Sequence, residues 1–247
     1  MSLPTDESGI RLNRFLARCG AGSRRASDGL VSSGAVTING HPADSPGIRV
    51  QPGDVVELHG RRMTLPELVT AAFNKPLGME VTLAGGGRTL AGVLSGLPPG
   101  CVPVGRLDVN TGGLLILSND GELAFRLAHP RWGVQREYLL SLESSPPDQV
   151  LARLRRGSAI GRGDVCRPVS VERSGPLGLR IALTTGRNRE VRRLAEVAGL
   201  ALIGLERLRY GPVRLGSLPR GRVKVLRGRE LRELYSCVSL DGGDSEG

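Results

Sequence analysis

Two segments near the start of the chain carry apolar residues at helical spacing. The first begins at Ile10 and is interrupted by Gly20, and the second runs from Ser23, a frequent N-cap residue, to Gly34. The apolar positions of the first segment are Leu12, Phe15 and Leu16. We therefore predict two short helices, preceded by a polar and flexible stretch over residues 1–9.

Short strands are predicted after the two helices. Val36–Ile38 is followed by the dipeptide Asn39-Gly40, which is preferred in tight hairpin turns, and residues 55–58 follow a second turn. Two helices and a small sheet make a compact module. We place this module at residues 10–62 and a linker at residues 63–68.

The rest of the chain mixes strand and helix patterns without a repeating strand–helix unit. Residues 114–117 form a continuous apolar run, which is typical of a strand buried on both faces. Helices and further strands are predicted over 122–128 and 188–198, and over 137–142, 179–183 and 200–208. This order predicts an α+β domain over residues 69–236, built on a mixed, largely antiparallel sheet. Residues 237–247, which end in an acidic, glycine-rich stretch, are expected to form a disordered tail.

The composition adds a strong positive charge to this picture. The chain has 34 Lys and Arg residues against 24 Asp and Glu, which gives a formal net charge of +10. Most of these cations are arginines, whose planar guanidinium pairs well with phosphate oxygens. The charge favours nucleic acid as a partner, with an anionic membrane surface as the second candidate. Aromatic residues make up only 3% of the chain, so any base-stacking surface must be small.

Cysteine and histidine spacing indicates neither a zinc module nor a compact disulfide framework. The four cysteines form no Cys-x-x-Cys unit, and the three histidines are equally scattered. The N-terminus lacks the basic-then-apolar pattern of a signal peptide, and no apolar run is long enough for a transmembrane helix. We therefore expect a soluble cytoplasmic protein with reduced thiols and no bound metal.

The segment over residues 104–121, VGRLDVNTGGLLILSNDG, carries the first candidate for chemistry. Asp108 lies there in a loop rich in glycine and asparagine, between two apolar stretches. A carboxylate in such a place is held on rigid elements, while the glycines let the backbone approach a ligand closely. An aspartate in such a loop can also simply close a turn. The loop alone leaves both interpretations open.

Residues 10–60 resemble the S-four RNA-binding domain. The residues that carry the resemblance are RFLA from Arg14, GAGSRR from Gly20 and GAVTING from Gly34. The resemblance implies that arginines on the two helices face a folded RNA, although a solvated basic face is the ordinary alternative. The arginines concerned are Arg14, Arg18, Arg24 and Arg25.

Three separated motifs resemble the RsuA-type ribosomal RNA pseudouridine synthases. They are GRLD with the following Thr-x-Gly, REYL from Arg136, and GRNREVRR from Gly186. Arg136 stands where lysine is common in this family, and Glu190 stands where glutamine is common. The third motif has no histidine, which favours the RsuA-type branch over the RluA-type branch. Together with the S-four module, the motifs imply a pseudouridine synthase catalytic domain over residues 69–236.

The resemblance implies an isomerisation that needs no cofactor, acting on a uridine of ribosomal RNA, with the large subunit favoured over the small. Asp108 matches the family's catalytic nucleophile, which attacks either the sugar or the base. Arg192 matches the cation that keeps this carboxylate charged. Tyr138 matches the residue that stacks on the uracil after it leaves its strand and that helps to remove the C5 proton, although a core tyrosine in a strand is the ordinary alternative.

Four further side chains are candidates for RNA contacts near this site. Arg106 enters the gap left by the flipped base, binds a flanking phosphate, or forms a salt bridge within the fold. Arg189 and Arg193 lie at a predicted helix start, where backbone N–H groups favour phosphate. Lys75, in a Lys-Pro-x-Gly segment, either faces RNA or serves the fold.

Two other functions fit parts of the sequence. A non-catalytic ribosomal RNA-binding or ribosome-assembly factor with the same fold would show the same charge, but would have no reason to keep Asp108, Tyr138 and Arg192 together. An RNA methyltransferase would need a glycine-rich cofactor loop after a strand, whereas residues 85–87 are predicted to form a plain loop. The favoured hypothesis is a monomeric enzyme that acts on ribosomal RNA, either free or within pre-ribosomal particles.

Overall fold

The computed structural model describes residues 9–82 and 88–240, which form a small N-terminal module and a larger domain. The helices and strands of the module are β1 (Ile10–Arg11), α1 (Leu12–Arg18), α2 (Arg24–Ser32), β2 (Val36–Ile38), β3 (His41–Pro42), β4 (Arg49–Val50), β5 (Val56–Leu58) and β6 (Arg61–Arg62). Strands β3, β2, β5 and β6 form one antiparallel sheet in that order, and β1 pairs with β4. The first helix therefore begins two residues later than predicted, because Ile10 and Arg11 pair as a strand.

Local signals in the module act as the sequence predicts. The Oγ atom of Ser23 accepts a hydrogen bond from the backbone N–H of Ala26 at 3.2 Å, which caps α2. Asn39 and Gly40 both have positive φ, at 53° and 81°, and join β2 to β3 in a tight hairpin. Met63 and Leu65 of the predicted linker pack against the apolar core of the module.

The larger domain contains a long mixed sheet with helices on it. Its helices are α3 (Ala91–Leu94), α4 (Gly121–Ala128), α5 (Asp148–Arg156), α6 (Glu190–Val197) and α7 (Gly228–Ser236), with a 3-10 turn at Pro130–Trp132. Its strands are β7 (Thr70–Lys75), β8 (Val102–Pro103), β9 (Gly112–Ser118), β10 (Arg136–Leu142), β11 (Ser158–Ala159), β12 (Val165–Cys166), β13 (Ser170–Arg173), β14 (Gly178–Leu183), β15 (Leu202–Tyr210), β16 (Val213–Arg214) and β17 (Val223–Val225).

Among the described residues, nine strands form the sheet that organises this domain. Its main path is β13-β14-β10-β15-β9-β7-β17, with β16 beside β15 and β8 beside β9. Neighbouring strands are antiparallel except β15 and β9, which are parallel. The prediction of an α+β fold on a mixed, largely antiparallel sheet is confirmed.

Strand β9 lies in the middle of the sheet and is buried along its whole length. Leu115 and Leu117 pack into the core on one face, and Leu114 and Ile116 pack into the core on the other. Each such side chain stabilises the fold by roughly 1.5–3 kcal/mol relative to an exposed position. The loop that carries Asp108 leads directly into this strand, so its end is fixed by the most deeply buried element of the domain.

The chain continues in ordered form beyond the predicted end of the domain. Residues 237–240 follow α7 as a turn, and Val238 is fully buried against the core that contains Leu234. The side chain of Arg126 donates hydrogen bonds to the carbonyls of Val238 and Ser239, at 3.2 and 2.9 Å. The prediction of a disordered tail is therefore wrong for residues 237–240, because apolar contacts and carbonyl caps hold them in place.

Other predictions for the ends and one loop lie outside the described residues. They concern the flexible stretch at residues 1–8, the tail at residues 241–247, and the loop at residues 85–87.

The module and the larger domain meet where α1 ends. A side chain on Gly100 would place its Cβ 2.5 Å from the carbonyl oxygen of Arg18, so the two backbones touch directly. Arg18 is half-buried there, beside Asp120, which also accepts a hydrogen bond from the Tyr235 hydroxyl at 2.8 Å. Burial lowers the pKa of Arg18, and the carboxylate of Asp120 opposes that shift.

No helix in the described ranges combines the length and apolar character needed to cross a membrane.

Candidate active site

Asp108 lies in the loop between β8 and β9, and both ends of this loop are anchored. At one end the backbone N–H of Val104, which is buried, donates to the carbonyl of Ile116 at 2.8 Å. At the other, the backbone N–H of Thr111 donates to the carbonyl of Asp108 at 3.0 Å, which closes a turn. The Asp108 side chain is 36% exposed, so the carboxylate is held on a rigid support and still open to a ligand.

Gly113, the second residue of β9, allows this strand to lie very close to β15. It has a φ of 94°, and a Cβ at this position would overlap the backbone of Arg207 on the parallel strand β15. Only glycine combines this conformation with such a close approach. The glycine-rich sequence after Asp108 therefore serves the junction of β9 and β15.

Two arginines from the third motif face the Asp108 carboxylate. The Nε atom of Arg192 lies 3.6 Å from Asp108 Oδ2, and the Nη1 atom of Arg189 lies 4.0 Å from the same oxygen. Arg192 also donates from Nη2 to the Asn110 carbonyl at 2.5 Å and to the Thr111 hydroxyl at 3.2 Å. Arg192 thus supplies positive charge to the carboxylate and ties its loop to helix α6.

Burial and two neighbouring charged side chains affect the pKa of the Arg192 guanidinium. Burial lowers the pKa of its guanidinium, the Asp108 carboxylate raises it, and the neighbouring cation of Arg189 lowers it. An arginine remains protonated at neutral pH through shifts of this kind. Asp108 therefore faces a permanent positive charge, while the exposed Arg189 side chain stays accessible to an anion.

Lys75 lies beneath the same loop and does not face RNA. It is fully buried, and its Nζ atom donates to the carbonyls of Pro76 at 3.0 Å and Val109 at 3.4 Å. Burial lowers the pKa of its ammonium to about 8, and Asp108 opposes the shift. Of the two roles considered for Lys75, the structure supports the structural one: it holds the loop from below.

Replacement of Lys75 by methionine is expected to change how stability depends on pH. Since the pKa is about 8 in the folded chain and about 10.5 in the unfolded chain, the folded state loses this proton first as pH rises. The wild type should therefore gain stability relative to Lys75→Met between about pH 8 and pH 10.5, by at most about 3 kcal/mol. Urea unfolding of both proteins at pH 7.5 and 10.5 measures this difference, with Lys224→Met as a control at a half-exposed lysine.

Tyr138 lies on β10 and shares a cavity with Asp108. The cavity has a volume of about 130 Å³. Tyr138 is 9% exposed and pairs across the sheet with Ile181 and Arg207, so most of its ring is buried and only a small part reaches the cavity. The structure thus brings Asp108, Tyr138 and Arg192 to one site, as the three motifs suggest.

Arg106 lies at the same cavity with its side chain exposed. Within residues 9–82 and 88–240 it forms no ion pair with an acidic side chain. Of the uses considered for Arg106, an internal salt bridge is therefore not the one observed. Its charge is free to meet a phosphate or the edge of a base.

Arg193 points away from the cavity, contrary to the prediction that it binds RNA. Its side chain donates to the Ile160 carbonyl at 2.8 Å and to Asp164 Oδ2 at 2.9 Å, and it also bonds to the Gly161 carbonyl. It is 13% exposed. These bonds fix α6 to the β11–β12 hairpin, so the role of Arg193 is structural.

Three buried residues, to which sequence reasoning assigned no role at this site, line the cavity. Arg136 donates to the Leu127 carbonyl at 2.8 Å and to the Tyr210 hydroxyl at 2.9 Å, and its guanidinium lies 4.8 Å from the Tyr210 ring centre. Arg207 donates from Nε to the Leu114 carbonyl at 2.7 Å and lies 4.9 Å from the same ring. In sequence, Arg207 and Tyr210 look like ordinary strand positions. Arg136 attracted notice only as a departure from lysine.

Of the four arginines predicted to bind RNA in the module, the two on α2 are exposed and the two on α1 lie near the larger domain. Arg24 and Arg25 are exposed on α2. Arg14 is partly buried, with guanidinium atoms 3.9 Å from the position of a Cβ on Gly121 at the start of α4. Arg18 lies half-buried at the contact between the module and the larger domain, beside Asp120, so less of its side chain is open to RNA than in Arg24 and Arg25.

The described part of the chain places no three His, Cys, Asp or Glu side chains where they could hold a metal ion. The four cysteines are free thiols.

Comparisons with known proteins identify the family of each part of the chain. A family model for RNA pseudouridylate synthases matches residues 69–196, and a model for the S4 domain matches residues 10–56. A crystal structure of a pseudouridylate synthase superposes with a TM-score of 0.66 at 25% sequence identity, and the match covers 92% of this chain and 100% of that one.

Relatives in several bacteria are similar over nearly the whole chain. An uncharacterized RNA pseudouridine synthase of Aquifex aeolicus is 35% identical over 94% of this chain and 96% of its own length. A counterpart in Mycobacterium tuberculosis is 38% identical, over 94% and 95%. A protein of Bacillus subtilis named ribosomal large subunit pseudouridine synthase B is 30% identical, over 92% and 96%.

Proposed function

Since this chain belongs to the RNA pseudouridylate synthase family, we propose that it converts one uridine of large-subunit ribosomal RNA to pseudouridine, with Asp108 as the nucleophile. The observation that carries the proposal is the Asp108 carboxylate, 3.6 Å from Arg192 and at the same cavity as Tyr138. The choice of ribosomal RNA rests on the Bacillus subtilis relative, whose name specifies the large ribosomal subunit.

The proposed reaction begins when the target uridine leaves its strand and enters the cavity. Asp108 attacks either the ribose or the uracil, and the bond between N1 and the ribose breaks. The uracil then turns so that its C5 atom bonds to C1′ of the ribose, and the bond to Asp108 breaks, which regenerates the free carboxylate. C5 loses its proton and N1 gains one, so substrate and product contain the same atoms. A reaction of this balance needs no oxidant or cofactor.

Different side chains bind the base and the phosphates of the target nucleotide. Tyr138 offers an aromatic surface to the uracil, and stacking of this kind tolerates rotation of the base. Arg106 and Arg189 are exposed cations at the rim of the site and meet the flanking phosphates. Arg192 keeps positive charge beside the nucleophile. We further propose that the working form is a cytoplasmic monomer, acting on ribosomal RNA that is free or within pre-ribosomal particles.

A map of pseudouridines in ribosomal RNA tests this function directly. Cells that lack the protein should lose one pseudouridine, at a position in the large-subunit RNA. Expression of the wild-type chain should restore it, whereas expression of Asp108→Asn should not. An unchanged map would refute the proposal, and loss of a small-subunit modification would refute the choice of subunit.

The exposed arginines of α2 should determine part of the salt dependence of RNA binding. Each phosphate contact contributes about 0.7–0.9 to the slope of log affinity against log salt. The double variant Arg24→Gln/Arg25→Gln should therefore flatten this slope by roughly 1.4–1.8 if both residues contact phosphate. A salt titration with ribosomal RNA fragments measures it. The variant Arg61→Gln/Arg62→Gln, on strand β6 of the same module, is the charge-matched control, and equal slopes in both variants would contradict the assignment to α2.

A further inference from the structure

Three aromatic rings form a cluster on the surface between α4 and β10. Phe125, His129 and Trp132 contact one another, with ring centres 5.3 to 5.8 Å apart. Phe125 is 53% exposed, although it is a large apolar side chain. A single exposed apolar residue is ordinary in a folded protein, but a contiguous aromatic surface on a chain with 3% aromatic residues indicates a use.

Two arginines complete this aromatic cluster. The guanidinium carbons of Arg131 and Arg126 lie 4.6 and 5.4 Å from the Trp132 ring centre. Arg126 is held in place by Glu122 and by the carbonyls of residues 238 and 239. Arg131 is exposed and has no acidic partner in the described ranges, so its charge is available to an anion. The cluster therefore combines an open ring with a free cation.

The cluster lies between the N-terminal module and the cavity, the two parts of the protein that are proposed to bind RNA. Three residues of α4, Gly121, Phe125 and Ala128, are exposed at helical spacing and so lie along one stripe. Gly121 lies beside Arg14 of the module, and Ala128 lines the cavity that contains Asp108. The stripe is about 10 Å long at a rise of 1.5 Å per residue. Phe125 thus lies between the module and the cavity.

We propose that the aromatic cluster binds an unpaired nucleotide of the RNA substrate, adjacent to the target uridine. The base stacks on the open face of Phe125, and the guanidinium of Arg131 pairs with a phosphate of the same strand. This inference rests on the proposed function, because it assumes that RNA spans the module and the cavity. It adds a binding site that lies outside the cavity and uses none of the three motifs.

Packing within the protein does not account for the cluster by itself. Trp132 packs partly against the core below, and this contact explains why its ring is placed there. Phe125 has no such role, since its side chain lies on the exposed stripe of α4 and leaves about half of its surface in water. A nucleobase is the occupant that matches an aromatic face with an arginine beside it.

Binding of a short single-stranded oligouridine to the intact chain tests the proposal. Phe125→Ala should weaken the affinity by between about fivefold and 150-fold, which corresponds to the loss of one stacked base. Phe125→Tyr keeps an aromatic ring and should bind like the wild type. Ile203→Ala removes another exposed apolar side chain, 70% exposed on β15, and should leave the affinity unchanged. A fully paired RNA duplex of the same length should bind Phe125→Ala and the wild type equally.

Fluorescence gives a second, local measurement. Trp132 is the single tryptophan of the chain, so its emission should change as oligouridine saturates the protein. Unchanged affinity of Phe125→Ala, unchanged emission at saturation, or no binding of oligouridine to the wild type would each overturn the proposal. Pseudouridine formation by the wild type is measured separately. If it occurs while Phe125→Ala binds oligouridine normally, only the aromatic-site proposal fails, so its failure can be distinguished from failure of the proposed function.

Discussion

An Asp108→Asn variant is expected to form no measurable pseudouridine while it still binds RNA. Asparagine has the same shape but lacks the negative charge and nucleophilicity of the carboxylate, so turnover should fall by roughly 10⁴-fold or more. The turn that holds residue 108 uses the backbone carbonyl, which this change does not alter. Single-turnover formation of pseudouridine on a ribosomal RNA fragment, measured beside the affinity for the same fragment, checks both parts.

The matched control for Asp108→Asn is Asp148→Asn. The Asp148 carboxylate is 90% exposed at the start of α5 and pairs with Arg173 on the surface. It carries the same change of charge but lies outside the cavity, so its turnover should equal that of the wild type. Turnover by Asp108→Asn close to the wild-type rate would remove Asp108 from the role of nucleophile.

An Arg192→Gln variant should lose most activity for a different reason. It removes the charge 3.6 Å from Asp108 and the bond from Nη2 to the Asn110 carbonyl, which ties the loop to α6. The loss of one preorganised charged group of this kind typically costs a factor of about 10² to 10³ in rate. Measurement of the rate at saturating RNA separates this effect from weaker binding.

Arg192→Lys provides the control for charge. Lysine keeps a cation near Asp108 but cannot reproduce the flat guanidinium that reaches Asp108, Asn110 and Thr111 together. It should therefore recover part of the lost activity. Equal rates for the glutamine and lysine variants would show that loop position, and not charge, is what Arg192 supplies.

The sequence predicts the position of the loop that carries Asp108 better than it predicts the direction of individual arginines. Asp108 comes between a short strand and a continuous apolar run, and the structure shows that pattern as β8, a loop and the buried strand β9. Such patterns are visible because apolar side chains tend to be buried, and the spacing of apolar residues can be read directly from the sequence. The order of the main elements and the α+β class follow from the same signal.

Arg192 and Arg193 illustrate what the sequence could not predict. Adjacent residues point about 100° apart around a helix, so only one of the two can face Asp108. Which one does so depends on where α6 begins, and it begins after Arg189, which has a φ of 50°. A left-handed arginine at this position has no recognisable sequence signal. Arg193 consequently binds carbonyls of the β11–β12 hairpin, although its type and motif suggested RNA.

The final helix could have been found from the sequence. Leu231, Leu234, Tyr235 and Val238 recur at helical spacing, and all four are packed against the same core in the structure. Basic and polar residues between them obscured this pattern. The buried cations of Lys75 and Arg207 gave no such signal, because their burial depends on carbonyl groups supplied by distant parts of the chain.

The direct backbone contact between Gly100 and Arg18 packs the N-terminal module against the larger domain, so the structure sets the distance between α2 and the cavity. An RNA held by both α2 and the cavity must therefore span a separation that the protein dictates. The enzyme would then select its uridine by the distance between that uridine and the part of the RNA bound to the module. An RNA with one nucleotide inserted between these two points would present the neighbouring nucleotide instead.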